Sequence, residues 1–137
     1  MFKKIFSLIF AVVFSFLMIG TVSASDISTY DLGGQTKTST IIITGNKATC
    51  QSIYRISSDD CASITVVQTL EKHSWWFFWD TVGDSSTKTV YSTGSLSLTN
   101  YKYNLSSGTY RVKSVFTVKL KDGRSETVTV YSSEKTI

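Results

Sequence analysis

The sequence predicts an all-β protein: a single antiparallel β-sandwich of immunoglobulin-like type, with about seven strands, after an N-terminal signal peptide helix. Three observations support this class. Apolar and polar residues alternate after residue 24, and no segment there shows a helical period. The alternating segments are short and are separated by turn residues. This part of the chain is also rich in Ser and Thr, as strands with one solvent-facing side usually are.

The alternation is clearest in residues 109–121. One face carries Tyr110, Val112, Phe116, Val118 and Leu120, with Ser114 as its only polar member. The other face is mostly basic and polar, so we expect one side in the core and one in water. Asp122-Gly123 then matches a hairpin turn, because glycine adopts the positive φ that such turns require. Residues 124–135 return as the partner strand.

The remaining strands are predicted, in chain order, at residues 39–44, 48–56, 62–72, 75–82 and 87–99, the last range holding one or two strands. Gly45-Asn46 ends the first of them. The Leu105-x-x-Gly108-x-Tyr110 run resembles a tyrosine corner, in which a tyrosine hydroxyl near the start of a late strand holds the preceding turn.

Residues 1–24 are predicted to be a signal peptide. Lys3 and Lys4 provide a positive start, and residues 5–19 are an almost unbroken apolar run. Val22-Ser23-Ala24 supplies the small residues of a cleavage site after Ala24. The alternative is an uncleaved membrane anchor, which the run disfavours because a spanning helix needs about 20 apolar residues.

Export divides the chain into three parts and predicts a secreted, extracellular protein. A polar lead-in arm is expected at residues 25–35 and the sandwich domain at residues 36–137. Cleavage removes two lysines, so Lys+Arg falls from 14 to 12 against 10 acidic residues. The resulting net charge of about +2 is too small to indicate a nucleic-acid partner.

Cys50 and Cys61 both follow the signal peptide. In an exported chain such a pair indicates a disulfide. If residues 47–57 and 61–72 form a hairpin turning near Ser58-Asp59, however, Cys50 faces the region of Val67 and not Cys61, so both outcomes remain open. Two thiols and one histidine do not make a tetrahedral metal set, and no metal or cofactor is expected.

The most unusual segment is a run of aromatic residues within the strand predicted at 75–82. In a strand, Trp75, Phe77 and Trp79 point one way, and Trp76 and Phe78 point the other. Three interpretations are open. The run is a core strand with shielded outer rings, an exposed strip that stacks on sugars or lies in a lipid headgroup layer, or an aggregation-prone strand that needs a partner chain.

Two further features have weaker implications. The outward residues Arg111, Lys113, Lys119 and Lys121 form a basic stripe, which is either a solvated face or a docking surface for anionic lipid or teichoic-acid-like polymers. His73 is the only histidine, and no sequence pattern places a nucleophile and an oxyanion donor around it. We therefore expect no enzymatic activity.

Several short segments together resemble small exported β-sandwich proteins of Gram-positive bacteria that carry a domain of unknown function. They are residues 43–45, 64–72, 108–112 and 122–126, together with the tryptophan run. The resemblance implies secretion and the sandwich fold, and it implies no activity. The function expected is a non-enzymatic binding or interaction module, contacting cell-surface polysaccharide or another envelope component through residues 75–79. The alternative is a membrane-active, bacteriocin-like or small toxin protein that contacts a membrane surface.

Overall fold

A computed structural model describes residues 35–57 and 59–137. The predicted signal peptide and nearly all of the predicted arm lie outside the described residues. The described part contains no helix and has nine strands in two antiparallel sheets. The strands are β1 (Thr36–Thr44), β2 (Lys47–Arg55), β3 (Cys61–His73), β4 (Trp79–Thr81), β5 (Ser86–Tyr91), β6 (Ser95–Lys102), β7 (Thr109–Leu120), β8 (Ser125–Tyr131) and β9 (Lys135–Thr136).

The all-β class and the β-sandwich are confirmed, and the strand count is higher than predicted. The count is higher because the region predicted to hold one or two strands contains both β5 and β6, and because β9 has only two residues, too few to show an alternating pattern. The first sheet has the order β1-β2-β6. In the second sheet, β3 and β7 pair along most of their length and form its centre. Strands β4 and β5 both pair with the other edge of β3. Strands β8 and β9 both pair with the other edge of β7.

Strands β2 and β3 do not form a hairpin, contrary to the arrangement considered from sequence. They belong to different sheets, so the chain passes from one sheet to the other between Arg55 and Cys61. The crossing is held by backbone hydrogen bonds from Ile56 N to Gly94 O (2.8 Å) and from Lys121 N to Asp60 O (2.9 Å). Both strands bury their apolar face in the same interior. Two strands in facing sheets can do this as well as the two strands of a hairpin can, so the pattern of buried residues does not distinguish the two arrangements.

The disulfide between Cys50 and Cys61 is not formed: both residues are free, buried thiols. Cys50 lies near the start of β2, and Cys61 begins β3 at the opposite end of the sandwich. Six residues of chain separate Cys50 from the crossing at Ile56, or about 20 Å at the rise of a β-strand. A disulfide requires Cα atoms within about 7 Å.

The interior consists of two apolar clusters, one toward each end of the sandwich. The first contains Tyr54, Cys61, Ile64, Val66, Leu96, Phe116, Val118 and Leu120. The second contains Ile41, Ala48, Cys50, Leu70, Tyr110 and Val112. Residues from both sheets contribute to each cluster, so the two sheets share one hydrophobic interior.

Between these clusters lies a row of four buried polar residues, Ser39, Ser52, Gln68 and Ser114, which we call the polar band. Gln68 Nε2 donates to Ser52 Oγ (2.7 Å), and Ser52 Oγ lies 2.7 Å from Ser114 Oγ. Ser114 Oγ donates to Ser39 Oγ (2.9 Å), which donates to the carbonyl of Val112 (3.2 Å). Because Ser114 uses its proton on Ser39, Ser52 must donate to Ser114. The four side chains form one directed chain that crosses between the sheets.

Two turns predicted from sequence are confirmed. Tyr110 Oη donates to the carbonyl of Ser106 (2.6 Å), which is the tyrosine-corner hydrogen bond. The loop also favours Gly108, because its φ of +154° is a backbone conformation that residues with a side chain rarely adopt; the contact that a Cβ would make with Cε of Lys72 could be relieved by a shift of that flexible side chain. Asp122-Gly123 turns β7 into β8 with Gly123 at φ +90°.

The polar band generates the first prediction. Ser114→Ala removes the middle of the chain and leaves Ser52 and Ser39 without their partner, so the free energy of unfolding should fall by about 1–3 kcal/mol. Ser97→Ala, on an exposed position of β6, should change it by less than about 0.5 kcal/mol. Urea unfolding of both variants provides the measurement.

A combined variant separates hydrogen bonding from lost volume. Replacing all three serines by alanine together with Gln68→Met removes donors and acceptors at once, so its effect should be smaller than the sum of the four single effects. Strict additivity of the four changes would show that the residues do not act as one network.

Candidate functional site

The aromatic run is a loop at the tip of the β3–β4 hairpin, so the strand predicted at residues 75–82 is wrong for residues 75–78 and is present only at Trp79–Thr81, as β4. We call residues 74–78 the aromatic loop. Ser74 N donates to Phe78 O (3.0 Å), and Phe78 N donates to Trp75 O (3.0 Å), which closes the loop on itself. Trp76 has φ +53°, a left-handed conformation that no strand contains. The two-faced pattern expected of a strand therefore does not apply.

All four rings of the aromatic loop are exposed to solvent. The exposed fractions are 59% for Trp75, 77% for Trp76, 73% for Phe77 and 45% for Phe78. Adjacent ring centroids lie 4.8–6.5 Å apart, so the rings form one continuous patch. With 150–250 Å² per aromatic side chain, the patch exposes roughly 500 Å². This is at the upper end for a monomeric protein surface.

Trp79 belongs to the folded body and not to this patch. It is half-buried on the outer face of the second sheet, and the Arg111 guanidinium lies 4.0 Å from its ring centroid. The same guanidinium lies 4.1 Å from the Tyr131 ring, and Arg111 Nε donates to Glu71 Oε2 (2.7 Å). Arg111 is thus stacked between two rings and paired with a carboxylate. The site predicted at residues 75–79 accordingly separates into four exposed rings and one structural ring.

His73 and Ser74 hold the backbone of the aromatic loop. His73 Nε2 donates to the carbonyl of Trp76, and its ring centroid lies 5.1 Å from that of Trp79. Ser74 Oγ donates to the carbonyl of Phe78 (3.2 Å). No sequence pattern indicates this role of His73, because its partner is a backbone atom in a turn that the sequence does not signal.

The basic stripe and the aromatic loop are not brought together. Arg111, Lys113 and Lys119 lie on the outer face of β7, and Lys121 follows in the turn to β8. At the rise of a β-strand, Lys121 is about 33 Å from Arg111, toward the end opposite the loop. Arg111 is also already paired with Glu71. A single contact surface cannot include both the loop and the full stripe.

Two further exposed aromatic residues, Tyr101 and Tyr103, lie at the same end of the sandwich as the aromatic loop. They lie at the end of β6 and just after it, and the ammonium of Lys47 is 4.4 Å and 5.4 Å from their ring centroids. This end also contains the β1–β2 turn, where Asn46 O accepts from Leu105 N (2.9 Å). This pair of exposed tyrosines was not predicted, although the spacing Tyr-x-Tyr near a strand end is visible in the sequence.

The described residues contain no group of three or more His, Cys, Asp or Glu side chains placed to hold a metal ion. The two thiols are packed in apolar surroundings, and burial raises the pKa of Cys50 to about 11 and raises that of Cys61. Lys102 opposes the pKa shift at Cys50, and Lys121 opposes it at Cys61. Both cysteines are therefore protonated near neutral pH.

Comparison with known proteins assigns no family. No protein-family model matches the chain, and no curated protein matches it. A solved structure that resembles it is wild-type OgpA from Akkermansia muciniphila, with 12% sequence identity and a TM-score of 0.37. That alignment covers 71% of this chain and spans 27% of the OgpA chain, about a quarter of its length. The resemblance to exported Gram-positive proteins stays a prediction.

In residues 35–57 and 59–137, no helix is long and apolar enough to cross a membrane.

Trp76 is exposed and Trp79 is half-buried against Arg111, so the two tryptophans should contribute differently to stability. Trp76→Gly should leave the free energy of unfolding unchanged or raise it by up to about 1 kcal/mol, because glycine tolerates the left-handed backbone. Trp79→Ala should lower it by about 2 kcal/mol, since a half-buried ring and a cation–π contact are lost. Denaturant unfolding tests both. A large loss of stability in Trp76→Gly would place that ring in the core.

The Cys50 thiol provides a pH prediction. Its pKa is about 11 in the folded protein against an ordinary value of 9.0, so the folded state retains a proton that the unfolded chain releases. The free energy of unfolding should therefore fall as pH rises from 9 to 11, by up to about 1.4 kcal/mol per pH unit, and should not depend on this group below pH 9. In Cys50→Ala the slope over this interval should be smaller. Equal slopes in the two proteins would contradict the assignment.

Proposed function

We propose that this chain is an exported, non-enzymatic binding module with an immunoglobulin-like sandwich, which contacts an envelope component of the cell surface through the aromatic loop. The strand order supports the immunoglobulin-like part. If the main strands are lettered in chain order as A, B, C, C′, E, F and G, the sheets have the orders A-B-E and C′-C-F-G. The hydrogen bond of Tyr110 to Ser106 lies at the E–F connection, where tyrosine corners occur.

The observation that most supports a binding role is the setting of Trp76. Its side chain is 77% exposed, so burial in the core does not explain a tryptophan there. Its φ of +53° is a conformation in which glycine or asparagine is usual and a bulky residue is an outlier. Folding therefore does not favour tryptophan at this position. A contact with something outside the chain does.

Export is the part of the proposal that rests on sequence alone. The apolar run and the cleavage site in residues 1–24 support it. Secretion would place the aromatic loop outside the cell, where envelope polymers and lipid surfaces are the available partners. The alternative, a bacteriocin-like or toxin protein, would use the same rings and would differ by disrupting the membrane that it contacts.

Sedimentation with isolated envelope fractions tests the binding role. The wild-type protein should sediment with either cell-wall material or membranes of the producing cells. Trp76→Gly and Phe77→Ser should each weaken that association about tenfold, since each removes one exposed ring.

Tyr91→Ser is the matched control, because Tyr91 is 73% exposed, as Phe77 is, and lies at the opposite end of the sandwich. Its binding should equal that of the wild type. Equal losses in Tyr91→Ser and Phe77→Ser, or no association of the wild type with any fraction, would refute the proposed function.

A further inference from the structure

We infer that the occupant of the aromatic loop is the headgroup region of a lipid bilayer, into which the loop inserts as a shallow anchor. This inference rests on the proposed binding function and specifies its partner. Four properties of the loop distinguish a lipid surface from a sugar polymer or a protein: its area, the orientation of its rings, the state of its backbone and the charge at its base.

The exposed apolar area is too small for a stable protein partner. A specific protein–protein interface usually buries about 800 Å² on each side, with a polar rim around an apolar centre. The loop exposes roughly 500 Å², all of it on four adjacent aromatic side chains at a hairpin tip. A convex apolar tip of this size fits a soft, laterally continuous partner better than a rigid complementary surface.

The orientation of the rings disfavours a polysaccharide. A sugar stacks with its face on the face of an aromatic ring, so a flat, ribbon-like glycan is matched best by rings that share a plane. Here the adjacent rings are tilted by 61° between Trp75 and Trp76, 55° between Trp76 and Phe77, and 31° between Phe77 and Phe78. The flanking polar side chains, His73 and Ser74, donate to the loop backbone instead of facing outward toward sugar hydroxyls.

Of the loop's backbone groups, three carbonyls are hydrogen-bonded within the described residues and the N–H groups of Trp75, Trp76 and Phe77 are not, which suits the hydrated headgroup level and not the hydrocarbon core. The carbonyls of Trp75, Trp76 and Phe78 accept hydrogen bonds from Phe78 N, His73 Nε2 and Ser74, respectively. Insertion would leave these three groups satisfied, where an unbonded carbonyl would lose its contact with water. Tryptophan is also, with tyrosine, typical of the membrane–water interface, because the amphipathic rings of these two residues lie at headgroup level.

The base of the hairpin is nearly balanced in charge. Arg111 is paired with Glu71, and Lys72 lies opposite Asp80 in the β3–β4 register. The basic stripe extends away from the loop. Although Lys47 lies at the same end of the sandwich, over Tyr101 and Tyr103, electrostatic attraction to anionic lipid should therefore be the smaller contribution, and the association should depend mainly on apolar contact, which salt does not screen.

Vesicle binding tests the inference. The chain is used from Ser25 onward, which excludes the apolar segment of residues 5–19; all nine strands and both apolar clusters lie within residues 36–137. The probes are vesicles of phosphatidylcholine alone and of phosphatidylcholine with phosphatidylglycerol. The expected result is binding to both, with less than about a threefold change between 0.1 and 0.5 M NaCl, a blue shift of tryptophan emission, and no release of trapped dye.

The variants identify the loop as the site of insertion. Trp76→Gly and Phe77→Ser should each lower the partition coefficient about tenfold, and Tyr91→Ser should leave it unchanged. In Trp76→Gly part of the blue shift should remain, because Trp75 still inserts.

Three outcomes would overturn the lipid inference. They are an absence of vesicle binding, binding that disappears at 0.5 M NaCl, and release of dye, which would indicate a membrane-disrupting protein. If vesicles are not bound but cell-wall material is, and Trp76→Gly abolishes that binding, the proposed function stands and its partner is a glycan. If neither vesicles nor envelope fractions bind, both proposals fail.

Discussion

The relative position of the two sheets depends on the directed chain of hydrogen bonds through the polar band. Alternation of apolar and polar residues prevents a strand from slipping by one residue, because every side chain would change face, but it permits a slip of two. In the observed register Ser39 lies opposite Ser52, and Gln68 lies opposite Ser114. A two-residue slip would leave these buried groups without partners, at about 1–3 kcal/mol each. Apolar contact alone has no such directionality.

The polar band also divides the interior into its two apolar clusters. On β2, β3 and β7 the polar residue lies between an inward residue of one cluster and an inward residue of the other, as Gln68 does between Val66 and Leu70. The polar band therefore fixes the register of these strands relative to one another. From the band, β3 continues past the second apolar cluster and ends at His73. The position of the β3–β4 hairpin, and with it the aromatic loop, follows from contacts in the middle of the sandwich.

Alternation predicted which residues face inward, but it could not predict which strands pair. Residues 109–121 were placed correctly, and Ser114 was recognised as the one polar inward residue, although its hydrogen-bond partners on β1 and β2 were not visible in the sequence. The crossing from β2 to β3 was missed because a hairpin and a change of sheet bury the same faces. The aromatic run was predicted as a strand because tryptophan and phenylalanine favour strands. The turn is formed instead by hydrogen bonds within the loop and a left-handed Trp76, without the usual glycine or asparagine.

The division between Trp79 and the four rings before it shows how a small sandwich can expose so much aromatic surface. Trp79 packs on Arg111 at the base of the hairpin and belongs to the folded body. Beyond it, backbone hydrogen bonds and the His73 side chain order the loop without burying any of its four rings. Binding would then require little further ordering, so less of the contact energy would be lost to conformational entropy. An ordered, unburied apolar tip has no advantage for folding, and its unfavourable contact with water would be relieved by a partner that covered it.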